Sequence, residues 1–100
     1  MTYTITTQKK LEALLEALSY KVRYEKGNFQ SGYCLVKDRK VAVINKFFAT
    51  EARINSLIEI LNTINITDEE VAHIAELDEK QGKLLLQVRK RVGEEWVFYR

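Results

Sequence analysis

The sequence contains no proline, one cysteine, one histidine and four glycines in 100 residues. Without proline, a Gly/Ser-rich linker or an internal repeat, there is no sign of a second domain, and one domain spanning 1–100 is expected. The lone Cys34 excludes an intramolecular disulfide and fits a reducing compartment. With only Cys34 and His73 available, a zinc site would need carboxylates to complete it, an uncommon ligand set. No stretch approaches the roughly 18 consecutive apolar residues of a membrane span. At the N-terminus Lys9 and Lys10 follow the apolar residues and no long apolar run comes after, unlike a signal peptide. These absences lead to the expectation of a soluble, cytoplasmic chain with no metal, no cofactor and no membrane partner.

What is present is ordinary in amount and uneven in placement. Apolar residues make up 46% and charged residues 30%, enough for a real core without staples. Net charge is +2, too small to argue for nucleic acid by itself. Residues 1–50 carry nine Lys/Arg against four Asp/Glu, and residues 51–100 carry seven against ten. The halves therefore stand at +5 and −3, opposed charges that attract within a monomer or between copies.

Along the chain, Thr2–Thr6 alternates in a β-prone way and reads as a fourth edge strand or an extended arm. With Thr7 as N-cap, Leu11, Leu14, Leu15 and Leu18 then form one apolar helical stripe, ending near Ser19-Tyr20. Lys21–Glu25 alternates as a half-buried strand. Lys26–Gly32 is a loop with Gly27-Asn28 as its turn signal. Tyr33–Val36 and Val41–Asn45 read as a hairpin across the polar Lys37–Lys40 turn. The nearly all-apolar Val41–Ile44 run suits a strand that is central or covered on both faces. Cys34 is expected to be a small buried hydrophobe. Thr50 is the expected N-cap of a second helix that buries Ile54, Leu57, Ile58, Leu61 and Ile64.

Thr67 and Glu70 match a capping box. Residues 68–79 hold six acids and no Lys or Arg, and residues 80–91 hold five bases and no acid. One long helix would match these blocks to its dipole, with Ile74, Leu77, Gln81, Leu84, Val88 and Val92 along one side. Gly82 is the expected break if there are two helices. The rival reading pairs Lys83–Arg89 with Trp96–Arg100 as a hairpin. Either way Trp96–Tyr99 is an apolar tail that needs burial on this chain or on a partner.

Catalytic chemistry finds little support. Nothing in the spacing brings Cys34 to His73 as a nucleophile–base pair, and no phosphate-cradling glycine loop occurs. Lys21, Arg23, Lys26, Lys37, Arg39, Lys40 and Lys46 do fall on or beside the strands, interleaved with Tyr24, Phe29, Tyr33 and Phe47. Basic residues and aromatics on one sheet face would track a single strand and stack its bases. The plainer reading is solvated lysines and core aromatics.

From Leu11 to Leu61 the chain resembles short, uncharacterised bacterial proteins, through Lys21–Glu25, Gly32-Tyr-Cys34 and Val41–Lys46. More distantly, the order resembles the N-terminal half of IrrE/ImmA-like metallopeptidases, where such a strand leads into a helix carrying His-Glu-x-x-His. Carried onto this chain, that motif falls on Glu59, Ile60 and Thr63, none of which matches. The resemblance implies a metal-free, non-proteolytic remnant of that scaffold.

The expected fold is α+β: an N-terminal helix, a three-stranded antiparallel sheet, two or more further helices and an apolar C-terminal tail. The expected function is a non-enzymatic protein-interaction module that associates with itself or with another protein. Weak single-stranded nucleic-acid binding is the alternative. The candidate binding residues are Arg23, Tyr24, Phe29, Lys46, Trp96 and Phe98.

Overall fold

The computed structural model describes residues 2–26 and 32–98, and of residues 89–98 the backbone only. The chain is α+β, with helices α1 (Ile5–Ala17), α2 (Thr50–Thr63), α3 (Asp68–Leu77) and α4 (Glu79–Phe98). Strands β1 (Lys21–Glu25), β2 (Tyr33–Val36) and β3 (Val41–Asn45) form one sheet. Two compact units divide it, Met1–Ile60 and Leu61–Arg100.

In the first unit, α1 starts earlier than the spacing predicts. Thr4, not Thr7, is the N-cap, with Thr4 Oγ1 accepting from the Thr7 amide at 3.3 Å. Ile5 and Thr6 thus belong to the first helical turn, and residues 2–4 form no strand, so no fourth edge strand exists among the described residues. A threonine-rich alternation satisfies capping as well as it satisfies a pleat, and the adjoining leucine stripe decides for the helix. Leu11, Leu14, Leu15 and Leu18 are buried, as their spacing predicts. The helix ends in a Schellman arrangement. Ser19 N–H donates to Glu16 O (2.9 Å), and Tyr20 N–H donates to Leu15 O (2.9 Å). Ser19 takes the left-handed φ of 69° that this requires.

The sheet is mixed rather than antiparallel, with strand order β1-β3-β2. β2 pairs antiparallel with β3, while β1 pairs parallel with β3, Lys21 opposite Val41 through Glu25 opposite Asn45. The strand directions still run up, down, up; what differs is which strand holds the middle. β3 is the most continuously apolar of the three, and only the centre gives it a neighbour on both sides. Its burial nevertheless alternates: Ala42 and Ile44 are buried, whereas Val41 and Val43 are half-buried on the other face. Registering the strands puts Val22, Tyr24, Tyr33, Leu35, Ala42 and Ile44 on one face, here called inner. The outer face carries Lys21, Arg23, Glu25, Cys34, Val36, Val41, Val43 and Asn45. Cys34 is therefore exposed, not a core residue. The pleat that half-buries Leu35 on one side turns its neighbour out on the other.

Ile54, Leu57, Ile60 and Leu61 of α2 are buried, with Ile58 only half so. The first α2 bond is Arg53 N–H to Ala49 O (3.0 Å), so Ala49 holds the cap position expected of Thr50.

In the second unit, α3 has the predicted capping box. Thr67 Oγ1 accepts from the Glu70 amide (3.1 Å), and Glu70 Oε1 accepts from the Thr67 amide (3.2 Å). The acid and base blocks do not share one helix. The chain breaks at Asp78, not Gly82, and residues 83–89 are helical rather than a hairpin strand. Asp78 serves both helices: its N–H donates to Ile74 O (2.9 Å), and its Oδ1 accepts from the Lys80 amide (3.0 Å). Aspartate is among the best N-caps, and here that preference outweighs the weak helix propensity of glycine. The break shifts the helical phase. Leu77 is 74% exposed, and Leu85, outside the expected stripe, is buried with Ile74 and Val88. Gly82 is buried where α3 and α4 meet; a Cβ there would lie 2.8 Å from the Ala75 backbone. Its missing side chain sets the closeness of the two helices.

Among the described residues no helix is long and apolar enough to cross a membrane.

Candidate functional site

The connection from β3 to α2, Lys46–Ala49, is short and contains two adjacent phenylalanines with opposite fates. The Phe48 ring lies against Gly32, so closely that a Cβ on Gly32 would fall 2.2 Å from Phe48 Cζ. Gly32 also has φ +82°, which a larger residue adopts only with strain. Phe47 points the other way and is 68% exposed. The backbone around it is tied on every side.

Phe47 N–H donates to Asn45 Oδ1 (3.0 Å), and Phe48 N–H donates to Asn45 O (3.1 Å). Lys46 N–H donates to Glu25 O (3.1 Å), extending the β1–β3 ladder past its last pair. Arg53, one turn into α2, then clamps the far side: Nη2 donates to Lys46 O (2.7 Å) and Nε donates to Phe48 O (2.8 Å). A guanidinium fits this task because its fixed fork spans two acceptors with little further ordering.

Arg53 is itself held. Its Cζ stands 4.5 Å from the centre of the Tyr24 ring, a cation–π contact worth about 0.5–2 kcal/mol. Tyr24 donates its hydroxyl hydrogen to Glu12 Oε2. Gln8 Nε2 reaches both Tyr24 Oη (3.3 Å) and Glu12 Oε2 (3.2 Å). The half-buried position of Tyr24, its bond to Glu12 and the charge of that carboxylate all push its phenol well above the usual tyrosine range. It stays a neutral donor throughout the physiological range. A continuous path therefore runs from α1 through Tyr24 and Arg53 to the loop carbonyls, and Phe47 stands at its end.

The candidate residues separate in space. Arg23 and Tyr24 are adjacent in β1 and so occupy opposite faces. Tyr24 faces inward, toward α1 and α2. Arg23 lies on the outer face, exposed, in an ion pair with Glu25 at 3.2 Å. Among the described residues that outer face carries no aromatic ring, so basic and stacking groups do not share it. Lys46 belongs to the loop, with Nζ 5.3 Å from the centre of the Phe47 ring. Phe29 lies outside the described residues, as do the side chains of Trp96 and Phe98. Of the positions where the metallopeptidase motif would fall, all on α2, Glu59 is exposed and Ile60 is buried.

Two residues of this constellation have weak signals in the sequence. Phe47 is legible as an aromatic in a polar-flanked strand–helix connection, without indication that its neighbour alone goes inward. Arg53 reads as an ordinary charge on the polar side of α2, because its acceptors are main-chain carbonyls and carry no sequence signature.

Compared with family models, with curated proteins and with solved structures, the chain matches none of them.

Proposed function

We propose that this chain is a protein-interaction module, acting by binding rather than catalysis, that associates with a second copy of itself. The observation that carries this reading is Phe47, 68% exposed on a loop fixed by Arg53, Asn45 and the β1 main chain. Binding costs free energy for every side chain and loop that must be ordered. A large apolar ring on an already ordered loop avoids much of that cost, and such rings are typical anchors at the centre of interfaces. Lys46 beside it supplies a charge for the polar rim. The opposed charges of the two halves of the sequence, +5 and −3, favour association between copies by electrostatic steering.

The test is the concentration dependence of mass by sedimentation equilibrium. The wild-type chain is expected to move from monomer toward a larger species as concentration rises. Phe47→Ala is expected to weaken that association by about tenfold or more, since truncated anchors cost over 1 kcal/mol. Its thermal unfolding should be unchanged. A wild-type chain monomeric at every concentration removes self-association, and an unaffected Phe47→Ala removes the anchor.

A further inference from the structure

The two edges of the sheet differ. β1 reads Lys-Val-Arg-Tyr-Glu, with Lys21, Arg23 and Glu25 exposed, the charged pattern that protects an edge from pairing with another chain. β2 reads Tyr-Cys-Leu-Val, without charge, and its exposed side chains are Cys34 and Val36, the latter 38% exposed. Among the described residues β3 is its one strand partner.

The hydrogen-bond phase of β2 fixes what its open edge presents. Asn45 N–H donates to Gly32 O at 2.9 Å, which makes Gly32 and Asn45 a hydrogen-bonded pair. Antiparallel pairs alternate between hydrogen-bonded and non-bonded types, so Cys34–Val43 and Val36–Val41 are bonded pairs as well. Leu35, between them, turns its N–H and C=O away from β3 toward the open edge.

We infer that β2 pairs antiparallel with β2 of a second copy, about a two-fold axis that passes between the two Leu35 residues, joining two three-stranded sheets into one. This rests on the self-association reading above and adds a strand seam to it, apart from Phe47, which lies on the β3–α2 connection and not on β2. Three observations select this geometry. Leu35 opposite its own equivalent exchanges both main-chain bonds, as the outward phase requires. The same register sets Cys34 of each copy against Val36 of the other, twice, so the two exposed side chains of the strand cover each other. The third is charge. The turn Lys37-Asp-Arg-Lys40 carries a net +2 at one end of β2. Antiparallel pairing holds the two turns at opposite ends, whereas parallel pairing would set them side by side. A second copy suits the strand better than an unrelated chain, because the self-pairing alone matches all three features.

The register has a covalent reporter. Cys34 and the partner's residue 36 form a non-bonded pair, where Cα atoms approach to about 4.5 Å, within the range a disulfide spans. Val36→Cys, treated with the thiol oxidant diamide, is expected to give a reducible dimer. Each pair of thiols passes two electrons and two protons to the diazene as the S–S bond forms. Wild type, with Cys34 alone, and Cys34→Ser with Val36→Cys place like cysteines two positions out of register and are expected to cross-link far less. A charge swap at the same exposed positions tests the contact without oxidation. Cys34→Lys with Val36→Lys sets lysine against lysine and should raise the dissociation constant about tenfold. Cys34→Lys with Val36→Glu sets opposite charges together and should restore it. Circular dichroism of each variant checks that the fold is kept. If wild type associates while the Val36→Cys chain cross-links no better than its controls, or both charge variants associate alike, the β2 seam is overturned and self-association stands. If wild type is monomeric throughout, both fall.

Discussion

Ser19 holds a φ of 69° to let α1 end, a conformation that costs an L-residue roughly 1 kcal/mol. Ser19→Gly is therefore expected to raise stability by about 0.5–1 kcal/mol, measured as a shift of the urea midpoint at constant slope. Gly32 presents the opposite case. Gly32→Ala meets both a positive φ and the Phe48 ring, and should lower stability by more than 1 kcal/mol while freeing the Lys46–Ala49 loop. Tyr24 gives a pH signature. Its phenol titrates higher in the folded chain than in the unfolded one, so above about pH 10 the unfolded chain loses its proton first. Stability then falls as pH rises past that point and is level below it. Tyr24→Phe should remove this alkaline component of the melting curve, and equal slopes for the two proteins would contradict the geometry around Glu12. These residue-level features divide sharply in legibility. The leucine stripe of α1 follows from spacing alone. The half-buried side of Tyr24 follows from its alternation with Lys21, Arg23 and Glu25 in β1, whereas the left-handed Ser19 depends on the turn it enters.

At the level of elements, Asp78 and Gly82 show how two weak local preferences are ranked. Asp78→Ala removes the cap of α4 and is expected to cost about 1 kcal/mol by thermal unfolding. Gly82→Ala would improve helix propensity by about 1 kcal/mol, yet its Cβ meets the Ala75 backbone at 2.8 Å. Backbone cannot give way as a side-chain tip can, so the net effect should be destabilising, with α3 and α4 forced apart. A stabilised Gly82→Ala protein would show that the approach is looser than it is here. The sequence makes Gly82 look like a breaker because propensity is a property of one helix. The spacing it sets is a property of two. The same limit explains β3: its apolar run marks it as central, but nothing local says that β2 gives up the middle of the sheet and that β1 pairs with β3 instead.

For the molecule as a whole, the pinned loop is a joint product of α1, β1, β3 and α2. Arg53→Met keeps much of the apolar bulk and removes the donors to Lys46 O and Phe48 O. The Lys46 carbonyl is exposed and regains water, whereas the Phe48 carbonyl is part-buried and regains it less fully, so the stability loss should be about 1–2 kcal/mol. Self-association should fall further than stability does, since Phe47 then has to be ordered on binding. Amide exchange at Phe47 and Phe48 should rise in the same variant. Protection retained there would mean that Asn45 and Glu25 hold the loop without the clamp. The class of fold, the α1 core and the capping box can be read from periodicity and capping rules. The candidate site is less legible, since it is built from main-chain carbonyls and from the handing of adjacent residues to opposite faces.

The central place of β3 also dictates an order of events. β1 is synthesised first of the three strands, yet its strand partner lies twenty positions further on, Lys21 opposite Val41. Until β3 arrives, β1 can only lean on α1. The β2–β3 hairpin needs only a four-residue turn to close, so its loop-entropy cost is small and it can form early. β1 is then added to a template that already exists. Val43→Ala in the hairpin should mainly slow refolding, while Val22→Ala in β1 should mainly speed unfolding, a contrast that stopped-flow chevrons resolve. A nascent chain halted just after Val36 would thus hold α1 and β1 with no sheet to join.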